Sequence, residues 1–209
     1  MKKRLTRPTL LKGVRELAKR DEDFAMIVST YGPPPLWERK QGFPALIHII
    51  LEQQVSLASA RAAYNRLKEA VNPLEPKNFL KLTDEELKQI GFSRQKTTYG
   101  RELAKAILGG SLDLSGLGKL EDEDAREQLM LVKGIGPWTA DIYLMMAMGR
   151  PDIWPKGDLA LEIAIQRLKG GLERPAPEEV RKMSEAWKPW RAVAARLLWH
   201  FYLSEPKKA

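Results

Sequence analysis

Signals for helix starts and stops recur along this 209-residue chain, and no segment shows the sustained alternation of a half-buried strand. Thr83 begins a capping box whose helix is predicted to close at Gly91. Pro137 stands at the first position of another apolar helix, and Pro189 is predicted to open the last helix in the same way. The sequence therefore predicts an all-α fold built from about a dozen short helices.

Two irregular stretches interrupt this helical pattern. The first is the polyproline loop of residues 32–42, and the second is the glycine- and proline-containing link of residues 149–157. They predict two helical lobes with a cleft, one formed by residues 1–42 and 150–209 and the other by residues 43–149. A continuous single bundle is the alternative that the sequence leaves open.

Composition limits the possible functions. A net charge of +8, with 35 basic against 27 acidic residues, favours a polyanionic partner such as nucleic acid, although a basic surface can also serve solubility alone. The chain contains no cysteine, which excludes disulfides, thiolate zinc sites, catalytic thiols and iron–sulfur clusters. The polar start of the sequence has no apolar segment typical of a signal peptide, and no apolar run is long enough for a membrane span, so an intracellular protein is expected.

The most informative segment contains a Gly-Ile-Gly turn between two apolar helices. Gly134 permits a positive φ, Gly136 lets another backbone approach closely, and the amides after it begin a helix that can face a phosphate oxygen. Lys133 adds a full charge beside them, and Asp158 opens a further helix downstream. Taken alone, the turn is typical of packed helices and Asp158 is typical of an ordinary N-cap.

Longer runs of residues resemble a known family. The segment LMLVKGIGPWTADIYLMMAMG (residues 129–149) is similar to the helix-hairpin-helix of a DNA glycosylase superfamily, and residues 155–158 are similar to its Gly/Pro-rich loop and aspartate. This is the HhH-GPD superfamily, named for those three features. Four further segments resemble its 3-methyladenine DNA glycosylase II branch: GPPPLW before Gln41, and residues 49–63, 91–104 and 187–199.

The resemblance implies an activity. It implies a monofunctional DNA glycosylase that excises alkylated purines, such as 3-methyladenine or 7-methylguanine, from double-stranded DNA held in the cleft. The base would be flipped out and its N-glycosidic bond hydrolysed, which starts base excision repair. Residues 1–209 would form a single glycosylase domain with Asp158 as its catalytic carboxylate. Trp138 stands where bifunctional members carry a Schiff-base lysine, which favours hydrolysis without lyase activity.

The resemblance also assigns roles to the other candidate residues. The base pocket would contain Trp138, Trp190, Leu159 and Ile142. Gln54 would be the wedge that fills the gap left by the flipped nucleotide, with Gln53 reading the opposite base or the backbone. The DNA backbone would be contacted by Lys133, Gly134, Gly136, Trp138, Ser56, Arg94 and Lys96. On the residues alone, core packing of both tryptophans, a polar helix junction capped by Ser56 and a solvated basic face remain open.

No cofactor is expected. The resemblance implies at most a Na⁺ or K⁺ ion on backbone carbonyls near Val132 and Ile135. The expected partner is double-stranded DNA with a damaged base, with no membrane involved, and the expected state is a monomer. A non-catalytic helix-hairpin-helix DNA-binding module and a glycosylase for deaminated or oxidised bases are the alternative functions. Trp138 and the absent cysteine argue against the oxidised-base branches, and Asp158 argues against the binding module.

Overall fold

A computed structural model describes residues 4–205, and every regular element within them is a helix, as the sequence predicts. The α-helices are α1 Arg7–Arg20, α2 Glu22–Tyr31, α3 Phe43–Glu52, α4 Leu57–Ala70, α5 Pro76–Phe79, α6 Asp84–Ile90, α7 Arg94–Leu108, α8 Asp122–Met130, α9 Pro137–Met146, α10 Leu159–Leu168, α11 Pro177–Ser184 and α12 Arg191–Ser204. Two short 3-10 turns are Gly116–Lys119 and Glu185–Trp187.

Local capping chemistry sets most of the helix bounds. The Thr83 hydroxyl accepts a hydrogen bond from the Glu86 N–H at 3.2 Å, and the Glu86 carboxylate accepts one from the Thr83 N–H at 2.7 Å. Gly91 ends α6 with a left-handed φ of 113°. Pro137 is the first residue of α9. These predicted helix ends are confirmed because their signals lie within a few residues of the ends themselves.

The prediction for Pro189 is wrong. Helix α12 begins at Arg191, with Trp190 as its N-cap. The Arg191 N–H donates to the Asp152 carboxylate at 3.2 Å, so a residue from a distant loop satisfies the first helical amide. A tertiary contact therefore determines where this helix starts.

One compact unit of the chain is Arg39–Met148. Its centre is α3, where seven of the ten residues are buried and which packs against α4, α7 and α9. Eight of the ten residues of α9 are buried as well. The Gly-Ile-Gly hairpin leads directly into α9, so it is anchored in the core of this unit.

The second compact unit, in its described part, comprises residues 4–38 and 149–205. Helix α12 is its centre and packs against α1, α2 and α10. Most of α12 is buried, including Arg196. Within residues 4–205, the helices are all too short or too polar to cross a membrane.

Candidate functional site

Asp158 precedes α10 as its N-cap, and its carboxylate is held by donors from two helices. Its Oδ1 accepts a hydrogen bond from the Leu161 backbone N–H at 3.1 Å, which is an ordinary capping bond. The same oxygen accepts a hydrogen bond from the indole Nε1–H of Trp199 at 3.1 Å. The Asp158 side chain is half-buried. The carboxylate is therefore fixed in orientation while part of it still reaches the surface.

Trp199 is a residue for which the sequence suggested no role. It lies in the second half of α12 and is half-buried. Because α12 is apolar on nearly all sides, helical spacing does not show which tryptophan faces the aspartate. The available signal was its place at the end of residues 187–199, the segment that resembles the family.

Trp190 is placed elsewhere in the same unit. Its Nε1–H donates to the Glu16 carboxylate on α1 at 2.5 Å. Its ring packs so closely on Gly13 that a Cβ there would lie 2.9 Å from two of its ring carbons. Trp190 and Trp199 are separated by about 13 Å of helical rise. The prediction that Trp190 lines the pocket beside Asp158 is corrected: this indole anchors α12 on α1.

A second carboxylate lies one turn along α10. Glu162 is 5% exposed, and Arg174 Nε lies 3.3 Å from its Oε2. Burial raises the pKa of Glu162, the Arg174 guanidinium lowers it, and the Asp158 carboxylate raises it. Glu162 thus pairs with an arginine, whereas Asp158 pairs with an amide and an indole.

In the Arg39–Met148 unit, the two hairpin glycines serve different purposes. Gly134 has a φ of 96°, and a Cβ there would lie 2.1 Å from Cγ of Tyr99. Gly136 has a φ of −90°, and within the described residues a Cβ there would meet no heavy atom inside 4 Å. Lys133 is exposed beside them. The first glycine permits close packing on Tyr99, and the second leaves space beside the start of α9.

The turn after α3 contains the two predicted DNA-reading glutamines. Gln53 Nε2 donates to the Gly134 carbonyl at 3.0 Å and to the Thr139 hydroxyl at 2.9 Å. Gln53 therefore ties the turn to the hairpin through its side-chain amide, and its role as a reader of the opposite base or the backbone stays a prediction. Gln54 is exposed and has a φ of 56°, an uncommon value for a residue other than glycine. Its role as the wedge stays a prediction.

Two of the predicted backbone contacts are engaged within the protein. Ser56 Oγ accepts a hydrogen bond from the Ser59 N–H at 3.2 Å and caps α4. Lys96 Nζ donates to the Leu51 carbonyl at 2.7 Å, and burial lowers the pKa of Lys96. This ammonium caps the end of α3, an interaction within the protein at a residue that was predicted to contact phosphate. Arg94 is exposed at the start of α7.

Alanine substitution of Arg94 and of Lys96 distinguishes a contact with phosphate from a hydrogen bond within the protein. We expect Arg94→Ala to reduce the slope of log affinity for duplex DNA against log salt by about one, because one phosphate contact is lost. We expect Lys96→Ala to leave the slope unchanged and to lower the free energy of unfolding by about 1–2 kcal/mol, since the Leu51 carbonyl loses its charged donor. Anisotropy titrations at several salt concentrations and urea unfolding measure both effects. An equal change of slope in the two variants would contradict the assignment.

The other pocket candidates differ in exposure. Ile142 is 4% exposed within α9, and Trp138 is half-buried at the second position of that helix. Leu159, directly after Asp158, is 52% exposed. Ile142 and Trp138 belong to the Arg39–Met148 unit and Leu159 to the other unit. Their contact with a base stays a prediction.

Comparison with known proteins identifies a family. Residues 47–190 match the profile of the HhH-GPD superfamily of base excision DNA repair proteins. The matched span includes the hairpin, Asp158 and Trp190, and it ends before Trp199.

Individual relatives agree with this match. The chain is 29% identical over 198 residues to DNA-3-methyladenine glycosylase 1 of Schizosaccharomyces pombe, covering 91% of this chain and 87% of that protein. It is 30% identical over 171 residues to a DNA-3-methyladenine glycosylase of Bacillus subtilis, covering 75% of this chain, and it spans only 56% of that relative's length. A solved structure of the Schizosaccharomyces pombe 3-methyladenine DNA glycosylase in complex with abasic DNA superposes with a TM-score of 0.83 at 29% identity, covering 90% of this chain and 95% of that one.

Proposed function

The chain belongs to the HhH-GPD superfamily of base excision DNA repair proteins, and we propose that it is a monofunctional glycosylase that removes alkylated purines from double-stranded DNA inside the cell. The observation that carries the proposal is the Asp158 carboxylate, held by the Leu161 amide and the Trp199 indole. The relatives named for 3-methyladenine excision support the choice of substrate class.

The proposed chemistry assigns one carboxylate to two tasks. As the bond between sugar C1′ and the purine nitrogen breaks, its electrons leave with the base and positive charge develops on the sugar. A fixed carboxylate near C1′ opposes that charge without having to reorganise. Water then attacks C1′, and its proton passes to the carboxylate or to solvent. An alkylated purine already carries positive charge, so it departs without a strong general acid.

We propose that the aromatic ring in contact with the carboxylate takes part in receiving the flipped base. Trp199 replaces Trp190 as the tryptophan adjacent to Asp158, because its indole is in direct hydrogen-bond contact with that residue. Trp138 is the proposed stacking face from the hairpin helix. An indole face attracts an electron-poor, cationic base, which matches alkylated purines better than neutral ones.

Trp138 also supports the monofunctional assignment. An indole cannot form a Schiff base with the sugar, whereas the bifunctional relatives use a lysine at this position. Lys156, the lysine nearest to Asp158 in the sequence, has its Nζ 3.1 Å from the Glu178 carboxylate. We therefore expect an intact abasic strand as the product.

We propose that DNA is bound by the hairpin and by the turn after α3, which contains Gln53 and Gln54. The first N–H groups of α9, which follow Pro137, lie at a helix start, where a phosphate oxygen is favoured. Gln54, exposed at the tip of the turn after α3, is the proposed wedge. A Na⁺ or K⁺ ion on the carbonyls near Val132 and Ile135 fits the oxygen chemistry of such ions. The Val132 carbonyl also accepts a hydrogen bond from the Ile135 N–H at 3.0 Å, which leaves one of its lone pairs for an ion.

Base release from methylated DNA tests the proposal. We expect the protein to liberate 3-methyladenine and 7-methylguanine from methylated duplex DNA, as measured by chromatography of the free bases. The strand should stay intact until alkali is added, and borohydride should trap no protein–DNA adduct. Unmethylated DNA of the same sequence is the control.

Three outcomes would overturn the proposal. Retention of DNA without base release would make the protein a binding module. Release confined to hypoxanthine or oxidised bases would place it among the glycosylases for deaminated or oxidised bases. A trapped adduct with strand cleavage would show lyase chemistry.

A further inference from the structure

The loop between α2 and α3 contains a residue in a strained conformation. Trp37 has a φ of 47°, in the left-handed region that β-carbon-bearing residues enter at a cost of about 1–2 kcal/mol. Such a conformation persists only where the surrounding structure enforces it. The presence of a tryptophan here needs a physical reason, because glycine would adopt the same backbone conformation without strain.

Two arginines hold this loop in place. Arg196 Nε donates to the Leu36 carbonyl at 2.9 Å, and Arg7 donates to the Pro34 carbonyl at 3.1 Å. Arg196 is only 1% exposed, and burial lowers its pKa to about 10. It remains a cation at neutral pH and also donates to the Ala192 carbonyl at 2.8 Å, so a buried charge helps to fix the residue that precedes Trp37.

The Trp37 ring contacts Trp199. Their ring centroids are 6.4 Å apart at an interplanar angle of 73°, an edge-to-face pair. Arg196 and Trp199 are three residues apart on α12, so they lie on the same face of that helix. The arginine that fixes the loop and the indole that the loop supports are therefore neighbours.

We propose that Trp37 is a positioning residue for base excision, whose ring holds the Trp199 indole in the rotamer that donates to Asp158. The inference rests on the proposed function for its role in catalysis. Trp37 acts through Trp199 and not by touching the reacting atoms. Both tryptophans lie outside residues 47–190, the span that matches the family.

The first test needs no catalytic activity. The Trp199 indole N–H signal is identified in a ¹H–¹⁵N spectrum as the one missing from Trp199→Phe, and its hydrogen exchange is followed. We expect Trp37→Gly to speed that exchange by about tenfold or more, because the supporting ring is gone. Glycine adopts the positive φ freely, so this variant keeps its backbone. Trp37→Phe, which retains an aromatic edge, should behave as the wild type.

A matched control is available in the same unit. Phe24 and Trp187 form another edge-to-face pair, with centroids 5.3 Å apart, and Trp187 Nε1–H donates to Asp21 at 3.1 Å. Phe24→Leu removes that aromatic contact at a site where Asp158 plays no part. We expect it to leave the exchange of the Trp199 indole unchanged.

The second test uses single-turnover release of 7-methylguanine at saturating protein. We expect Trp37→Gly to slow release by about tenfold, a loss typical of a misplaced catalytic group, with unchanged affinity for abasic DNA. Trp37→Phe should restore the rate and Phe24→Leu should not affect it. In a Trp199→Phe background, Trp37→Gly should slow release by less than about twofold, because the Trp199 indole that Trp37 holds in place is already absent.

These results distinguish the positioning role of Trp37 from the proposed glycosylase function. Unchanged indole exchange in Trp37→Gly would overturn the positioning role whether or not the protein is a glycosylase. A full tenfold loss in the Trp199→Phe background would also overturn it, since Trp37 would then act independently of Trp199. Absence of base release from the wild type, with the exchange effect present, would refute the proposed function alone.

Discussion

The Asp158→Asn variant is expected to lose about a thousandfold or more in the single-turnover release of methylated purines, while it keeps its fold and its affinity for abasic DNA. The amide oxygen of asparagine can still accept from the Leu161 N–H and the Trp199 indole, which occupy Oδ1 in the native protein. Asparagine is also as good an N-cap as aspartate. Only the negative charge is removed, so the rate loss measures what that charge does at the sugar.

Glu162→Gln is the matched control for this variant. It neutralises the other carboxylate of α10, one turn away, which pairs with Arg174. We expect base release to stay within about twofold of the wild type, because glutamine keeps the size of the buried side chain and the exposed Arg174 is left solvated by water. Wild-type release by Asp158→Asn, or equal losses in the two variants, would show that Asp158 is not the catalytic carboxylate.

Gly134→Ala is expected to lower the free energy of unfolding by about 2–4 kcal/mol, from a strained positive φ together with overpacking. The added methyl carbon would stand 2.1 Å from Cγ of Tyr99, so the hairpin or the Tyr99 ring must move. The Gln53 bond to the Gly134 carbonyl would be disturbed at the same time. DNA affinity should fall with the hairpin geometry, and urea unfolding combined with DNA titration measures both losses.

Gly136→Ala separates packing from DNA contact. Its φ of −90° suits alanine and, in the described part of the chain, no heavy atom lies within 4 Å of the added carbon. We expect the free energy of unfolding to change by less than about 0.5 kcal/mol. Affinity for DNA should nevertheless fall by about tenfold, because the methyl occupies the approach to the amides that bind phosphate. Native affinity for DNA in Gly136→Ala would refute phosphate binding at the start of α9.

The features that could be predicted from sequence are those whose causes are local. The capping box at Thr83, the left-handed Gly91 and the N-terminal proline of α9 depend on residues within one turn. The all-helical class follows from many such signals acting together. Asp158 could be chosen as the key carboxylate because a longer segment around it resembles the family.

The features that were missed depend on residues distant in sequence. Gln53 bonds Gly134, 81 residues later, and Lys96 bonds the Leu51 carbonyl, 45 residues earlier. A polar residue next to a turn has the same appearance in sequence whether it faces DNA or a buried carbonyl. Only the packing of α3 against its neighbours decides between them.

The choice between Trp190 and Trp199 could not be made from the sequence, because it also depends on partners that are distant in sequence. Trp190 caps the apolar helix in which Trp199 lies, and their partners, Glu16 and Asp158, come from distant parts of the chain. Spacing along α12 therefore could not assign either indole. The start of that helix was missed for a related reason, since Asp152 provides the acceptor for its first amide.

A crystal structure of the protein on duplex DNA containing an abasic-site analogue would show whether Asp158 acts at the sugar. The distance to measure is that between the Asp158 carboxylate and the atom standing for C1′. We expect a nucleotide rotated out of the duplex, with this atom about 3–3.5 Å from a carboxylate oxygen, the separation of reacting groups. A nucleotide left stacked in the duplex, or a sugar that lies out of reach of the Asp158 carboxylate, would rule out Asp158 as the catalytic carboxylate.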